Sequence, residues 1–167
     1  FSDAVKIFNQ VLLINEEIGD KKIISQSYGN IGISYKELRK YDLALENYEK
    51  QLALCDEIGF NPGISSANNN FGTVYNRMGQ FDKALSYLNK SIKINKEMGN
   101  KREIAISHGN IALNNIELGQ FDDALKNLKS AYSLFSEAGD DRMCAMVNAD
   151  IGKTYLDMEK CKEAIDS

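Results

Sequence analysis

The sequence repeats itself every 40 residues, and this period constrains the fold more than any other feature. Four tetrapeptides with glycine in third place mark the period: Glu17–Asp20, Glu57–Phe60, Glu97–Asn100 and Glu137–Asp140. Two further columns keep the same spacing without insertion or deletion: Ala4, Ala44, Ala84, Ala124 and Ala164, and Phe1, Tyr41, Phe81, Phe121 and Cys161. We therefore expect a single array over residues 1–167, made of segments 1–20, 21–60, 61–100, 101–140 and 141–167.

Each period predicts two helices. Apolar side chains recur at spacings of four and three from Ile24 to Leu38, and again from Tyr41 to Leu52, as in two amphipathic helices. Each helix is expected to cover about 17 residues, or about 25 Å at 1.5 Å per residue. Glycine after the last turn, as at Gly59 and Gly79, favours a helix end at that point.

Polar residues near the expected helix starts predict N-caps. Asp42 offers a carboxylate that can accept from the first turn of the second helix, and Ser2, Asp82 and Asp122 share its repeat position. Pro62 suits the first turn of the next helix, where Asn61 is the expected cap.

Small residues lie in the middle of the first helices, at Gly32, Gly72, Ala112 and Gly152. Glycine inside a helix costs up to about 1 kcal/mol relative to alanine, so it needs a structural reason. We expect these residues to face the alanine column, twelve residues later, so that two helix backbones approach closely. One hairpin cannot bury its apolar face alone, and stacked hairpins would supply the core.

These residues resemble the tetratricopeptide repeat (TPR), whose signature is W-x2-L-G-x2-Y followed by A-x3-F. Here the signature reads Tyr28-x2-Ile31-Gly32-x2-Tyr35, then Ala44-x3-Tyr48. The 40-residue period is similar to the long TPR subclass of kinesin light chains, spindle adaptors with Leu-Gly-Asn repeats, and bacterial peptide-pheromone receptors. The resemblance implies an all-α fold, a right-handed α-solenoid of antiparallel helix hairpins, with the first helices lining a concave groove.

The face of each first helix opposite its apolar stripe is the predicted peptide-binding surface. An asparagine column runs along it, and the side-chain amide supplies the donor and the acceptor that a peptide unit needs. Neighbouring apolar and charged side chains would then give specificity. The predicted binding residues are Asn30, Ile33, Glu37, Asn70, Thr73, Arg77, Asn110, Leu113, Glu117, Asp150 and Lys153.

Two other interpretations of the asparagine column stay open. The amides could bond neighbouring helices and tie the repeats together, or they could be solvated residues of no consequence. A ligand held by its C-terminal carboxylate is disfavoured, because Arg77 and Lys153 are the only cations on this face and lie two repeats apart.

Composition excludes several classes of function. Lys and Arg number 20 against 24 Asp and Glu, and a net charge of −4 argues against a nucleic-acid partner. The sequence contains no apolar run near 18 residues, so no membrane insertion is expected. Cys55, Cys144 and Cys161 are too few for a disulfide framework and are expected to be buried free thiols of a cytoplasmic, reducing compartment. With His108 as the single histidine, no metal site, cofactor or catalytic residue is expected, and His108 itself is expected to be packed or hydrogen-bonded.

The leading hypothesis is a non-enzymatic adaptor that binds a partner peptide or protein segment in the groove. The alternative is a sensory or regulatory segment of a larger bacterial signalling protein, such as a kinase, a cyclase or a transcription regulator. Because the sequence opens with a lone second helix and closes in a degenerate repeat, with Glu159 in place of glycine and Lys162 in place of aspartate, we expect a fragment of a longer protein. A self-assembling spacer, with end-to-end association through uncapped terminal repeats, is a third possibility.

Overall fold

The computed structural model describes the backbone of residues 2–165 and the side chains of residues 3–159 and of Cys161. All regular structure in this range is α-helical and follows the repeat. The helices are α1 (Ser2–Ile18), α2 (Lys21–Glu37), α3 (Tyr41–Glu57), α4 (Asn61–Arg77), α5 (Phe81–Met98), α6 (Lys101–Glu117), α7 (Phe121–Glu137) and α8 (Asp141–Ile165). The chain therefore has the predicted all-α helix-hairpin repeat. Phe1, and the side chains of Ser2, Lys162 and Ala164, on which other expectations rested, lie outside the described residues.

The helices group into two compact units. Unit 1 is Phe1–Ile94 and holds α1 to α4 with most of α5, whereas unit 2 is Asn95–Ser167 and holds the end of α5 with α6 to α8. In unit 1, α2 packs against α1, α3 and α4, and in unit 2, α7 packs against both α6 and α8. Each unit has its own apolar cluster, around Tyr48 and Phe71 in unit 1 and around Leu128 and Phe135 in unit 2.

Residues with a left-handed backbone conformation end the helices, as the glycine pattern predicts. The helix-end glycines have φ between +63° and +78°, at Gly19, Gly59, Gly79, Gly99, Gly119 and Gly139. Arg39 occupies the same repeat position as Gly79 and Gly119 and adopts the same conformation, with φ of +56°. At Arg39 the backbone takes this left-handed conformation although the residue is not glycine.

The predicted caps are misplaced. Asp42 does not cap α3, because the helix already begins at Tyr41 and the residue before it, Lys40, makes no side-chain cap. Asp42 therefore lies in the first turn, where a carboxylate interacts with the positive end of the helix dipole. Asn61 is likewise the first residue of α4 and not its cap.

The side-chain caps are found instead at the first helices of the hairpins, such as α2 and α8. Asp20 accepts from the backbone N–H groups of Lys22 and Ile23 at 2.9 and 3.2 Å. Asp140 accepts from Met143 at 3.1 Å. Both aspartates directly follow a left-handed glycine, so the turn brings the carboxylate to the open end of the next helix.

The small residues make room for a large side chain, not for the alanine column alone. A Cβ added at Gly32 would collide with the Tyr48 ring, and one at Gly72 would lie 2.5 Å from Leu88 Cγ and 3.2 Å from the Ala84 carbonyl oxygen. The side chain that packs against each of these glycines therefore belongs mainly to the residue sixteen positions later in the sequence. The expected close approach is present at Gly72, but its main partner was assigned wrongly.

The last repeat departs from the others. α8 runs without a break through Ile165, whereas a turn was expected near Glu159. With glutamate in place of glycine, no residue there favours the left-handed conformation that ends the earlier first helices. Cys55 and Cys144 are buried as expected, but Cys161 is exposed on this extension, so the prediction that all three thiols are buried is wrong.

Candidate peptide-binding surface

In unit 1, α2 and α4 are neighbours and carry the first six predicted binding residues. On α2, Asn30, Ile33 and Glu37 are all exposed, one or two turns apart. The matching residues of α4 lie one period later: Asn70 and Thr73 are half-buried, and Arg77 is exposed. The structure therefore brings two copies of the predicted pattern together on adjacent helices.

The side chains of Asn30 and Asn70 take no part in the hydrogen bonds that the structure shows for these two residues. The Asn30 carbonyl accepts from Ser34 Oγ at 3.0 Å, and the Asn70 carbonyl accepts from Thr73 Oγ1 at 2.8 Å. Both bonds use the backbone, and neither side-chain amide has a hydrogen-bond partner within the described part of the chain. For these two residues, the interpretation that the amides tie helices together finds no support.

The side chains next to these amides differ in the contacts that they could make with a ligand. Ile33 is 38% exposed and is an apolar contact for a ligand. The Thr73 hydroxyl donates into its own helix, so it keeps only acceptor capacity and its methyl group. Glu37 is paired with Lys36 at 3.2 Å, which reduces the charge that it can present, whereas Arg77 lies exposed at the end of α4.

In unit 2, the predicted residues lie on α6 and α8. Asn110 is half-buried and makes a polar interaction of its own, which distinguishes it from Asn30 and Asn70. Leu113 is 48% exposed and Glu117 is exposed. On α8, Asp150 and Lys153 are exposed, and the Asp150 carbonyl accepts from Thr154 Oγ1 at 2.7 Å.

Two residues with nucleophilic or acid–base chemistry, Cys55 and His108, are engaged in packing or hydrogen bonding. Burial raises the pKa of the Cys55 thiol, so it stays protonated and unreactive at neutral pH. His108 Nδ1 lies 2.9 Å from Asn127 Oδ1, as expected of a hydrogen-bonded histidine. Within the described residues, no group of three His, Cys, Asp or Glu side chains could hold a metal ion.

Sequence reasoning missed two buried polar contacts between packed helices, one that joins α1 to α2 and one that joins α4 to α5. Asn15 Nδ2 donates to Ser27 Oγ at 3.0 Å, and the hydroxyls of Ser65 and Ser91 lie 3.0 Å apart, with all four residues buried. Part of the signal was present, because each of these repeat positions carries a polar residue in one other repeat. None of the described helices is long and apolar enough to cross a bilayer.

Comparison with known proteins identifies the repeat. The profile of the tetratricopeptide repeat family matches residues 23–97 and 103–167. The chain belongs to the tetratricopeptide repeat family. A search of curated protein sequences finds no match to this TPR chain.

Solved TPR structures share the fold at low sequence identity. BtubC (BKLC) from P. vanneervenii has a TM-score of 0.78 and 18% identity, over 99% of this chain and 70% of that one. Aspartyl phosphate phosphatase F from Bacillus subtilis has a TM-score of 0.85 and 16% identity, over 97% and 43%. A Rap protein complexed with competence and sporulation factor has a TM-score of 0.82 and 12% identity, over 99% and 47%. The TPR chain thus spans less than half the length of the second and third of these proteins.

Proposed function

We propose that this TPR chain is a non-enzymatic scaffold that binds a segment of a partner protein along its first helices. The proposal is carried by the side-chain amides of Asn30 and Asn70, which have no hydrogen-bond partner among the described residues. These two residues hold the same repeat position on the neighbouring helices α2 and α4. TPR arrays use extended surfaces of stacked hairpins to bind other proteins. The likeness to a Rap protein solved with a bound factor supports the same class of function.

The amides would bond the backbone of the ligand and would not read its sequence. An amide that donates and accepts at once matches one peptide unit, and two amides on adjacent helices match two units of one segment. In unit 1, specificity would come from Ile33 through apolar contact and from Arg77 through charge. In unit 2, Leu113 would supply apolar contact, and Glu117, Asp150 and Lys153 would supply charge. Because Glu37 is already paired with Lys36, Arg77 is the stronger determinant in unit 1.

A peptide-library pull-down tests this proposal. We would compare the wild-type chain with the triple variant Asn30→Ala, Asn70→Ala, Asn110→Ala, and expect peptides enriched by the first to be lost with the second. Asn89→Ala is the matched control, since Asn89 is an exposed asparagine on a second helix, α5, and is not one of the predicted binding residues. Unchanged enrichment in the triple variant would overturn the amide mechanism, and no enrichment by the wild type would overturn peptide binding.

A second function is regulation within a larger signalling protein. It is favoured by the likeness to aspartyl phosphate phosphatase F and to the Rap protein, of which this chain spans only 43% and 47%. Reading the coding sequence on either side of the chain tests it. A kinase, cyclase or DNA-binding domain there would support regulation, and its absence would oppose it.

The three free thiols suit a reducing compartment such as the cytoplasm.

A further inference from the structure

Helix α5 presents a row of lysines on its exposed side. Lys83, Lys90 and Lys93 are all exposed, and spacings of seven and three residues put them on one side of the helix. The advance along the helix from Lys83 to Lys90 is about 10.5 Å, at 1.5 Å per residue. α5 as a whole carries four lysines against two carboxylates, whereas the second helix α3 carries one lysine against five. The row is therefore a basic surface in a chain whose net charge is −4.

No carboxylate neutralises these lysines within the described part of the chain. Lys50, on the second helix α3, pairs with Glu46 at 2.7 Å. Lys83, Lys90 and Lys93 form no such ion pair with a described residue. Their charges are therefore available to an acidic group from outside the chain.

Two stacked tyrosines hold the first two lysines in place. The rings of Tyr75 on α4 and Tyr87 on α5 have centroids 5.4 Å apart and planes 15° apart. Lys83 Nζ lies 5.4 Å from the ring centroid of Tyr75, and Lys90 Nζ lies 4.8 Å from that of Tyr87. The negative face of a ring attracts a cation and so restricts the motion of a long lysine side chain. Because part of this motion is already lost, a ligand that binds both ammonium groups orders less of the surface on binding.

The tyrosine hydroxyls add two neutral donors to the same side of α5. Both tyrosines are half-buried, and neither hydroxyl has a hydrogen-bond partner among the described residues. Burial raises the pKa of the Tyr75 hydroxyl, and nearby Tyr87 and Glu49 raise it further, so the group keeps its proton at neutral pH. Ammonium and hydroxyl donors together suit a ligand that carries several carboxylates.

The packing of a second helix does not require lysine or tyrosine at these positions. At the positions of Lys83 and Tyr87, two other second helices carry different side chains: Leu43 and Asn47 in α3, and Asp123 and Asn127 in α7. Those helices form the same fold. The row on α5 is thus a property of one repeat and not of the array.

We propose that the lysine surface, made of Lys83, Lys90 and Lys93 with Tyr75 and Tyr87, binds an acidic segment of a partner protein. Acidic residues three apart in a polyproline-II segment lie on one side of it, about 9 Å apart. This separation is close to the advance from Lys83 to Lys90. The proposal goes beyond the proposed function, because it uses a second helix and selects the ligand by charge, whereas the asparagine amides lie on first helices and would bond a peptide backbone.

Two other classes of anionic partner fit the lysine surface less well. Strong binding of duplex DNA neutralises many phosphates, whereas this surface has three lysines and the carboxylate of Glu49 close to Tyr75. Helices that bind a membrane surface insert large apolar side chains beside their cations, and the exposed residue between Lys83 and Lys90 on this side is Ser86. A short acidic segment needs neither a longer row of cations nor an apolar anchor.

Fluorescence anisotropy with a labelled acidic peptide tests the proposal on the full chain. The probe is a peptide of repeated Glu-Ser-Ser units, and the Gln-Ser-Ser peptide is its uncharged control. We expect the wild-type chain to bind the Glu peptide and to bind it more weakly as salt is added. The variant Lys83→Gln, Lys90→Gln should bind about tenfold more weakly, because each exposed ion pair is worth up to about fivefold.

A matched control and two further variants separate this site from general attraction by charge. Lys126→Gln, Lys129→Gln is the control, since it removes the same charge from exposed lysines of α7 and should bind like the wild type. Glu49→Gln should tighten binding about twofold, because it removes a carboxylate that repels the ligand, and a gain of binding cannot result from unfolding. Tyr75→Phe with Tyr87→Phe keeps both rings and should weaken binding about 2- to 10-fold, since only the hydroxyl donors are lost.

Three results would overturn the proposal. The first is a Glu peptide that binds no more tightly than the Gln peptide. The second is an equal loss of binding in the α5 and α7 lysine variants. The third is duplex DNA, or vesicles of phosphatidylserine, that bind the wild type more tightly than the Glu peptide does and lose binding in the α5 variant. The Asn30, Asn70, Asn110 triple variant should bind the Glu peptide like the wild type, so failure here is distinguishable from failure of the amide mechanism.

Discussion

At the residue scale, Arg39 is the described non-glycine residue with a left-handed backbone, and two of its repeat equivalents are Gly79 and Gly119. A side chain in this conformation costs about 1–2 kcal/mol, of which part is offset by the lower backbone entropy that arginine gives the unfolded chain. We expect Arg39→Gly to raise the free energy of unfolding by about 0.5–1 kcal/mol. Urea unfolding followed by circular dichroism measures the change.

The reverse substitution is the control for this prediction. Gly79 has φ of +70°, and a Cβ there would have open space around it, so Gly79→Arg changes the backbone energy without a collision. We expect it to lower the free energy of unfolding by about 1 kcal/mol. An unchanged unfolding midpoint in both variants would mean that the turn relaxes to accept a side chain.

At the element scale, a first helix and its second helix approach closely where glycine meets a large side chain. Gly72 and Gly152 hold the same repeat position, but only Gly72 has a neighbour in the described chain, Leu88. We expect Gly72→Leu to cost about 1–3 kcal/mol through overpacking. Gly152→Leu, the matched control, should be neutral or stabilising, because it replaces a helical glycine in open space. Equal melting temperatures of the two variants would contradict this account of the packing.

The repeat period predicted the helices well and their local contacts less well. It gave the segments 21–60, 61–100 and 101–140 and the glycine ends, because both depend on spacing along the chain. It predicted a cap at Asp42 that the structure does not have, because a cap depends on where the turn places the first residue of the helix. It also assigned the wrong main partner to Gly72, because that contact depends on how the two helices cross. α8 continues unbroken past Glu159, which holds the position of the earlier helix-end glycines, and a repeat average conceals this departure.

At the scale of the whole molecule, the sequence predicts a binding face but not its ligand. Asn30 and Ile33 are exposed as the spacing predicts, since a helix fixes which side chains share a face. The pairing of Glu37 with Lys36, and the interaction made by Asn110, could not be predicted, because they depend on side-chain conformation. The distinctive feature is a pair of side-chain amides on neighbouring helices that have no hydrogen-bond partner among the described residues, and the chemistry of an amide suits any peptide backbone.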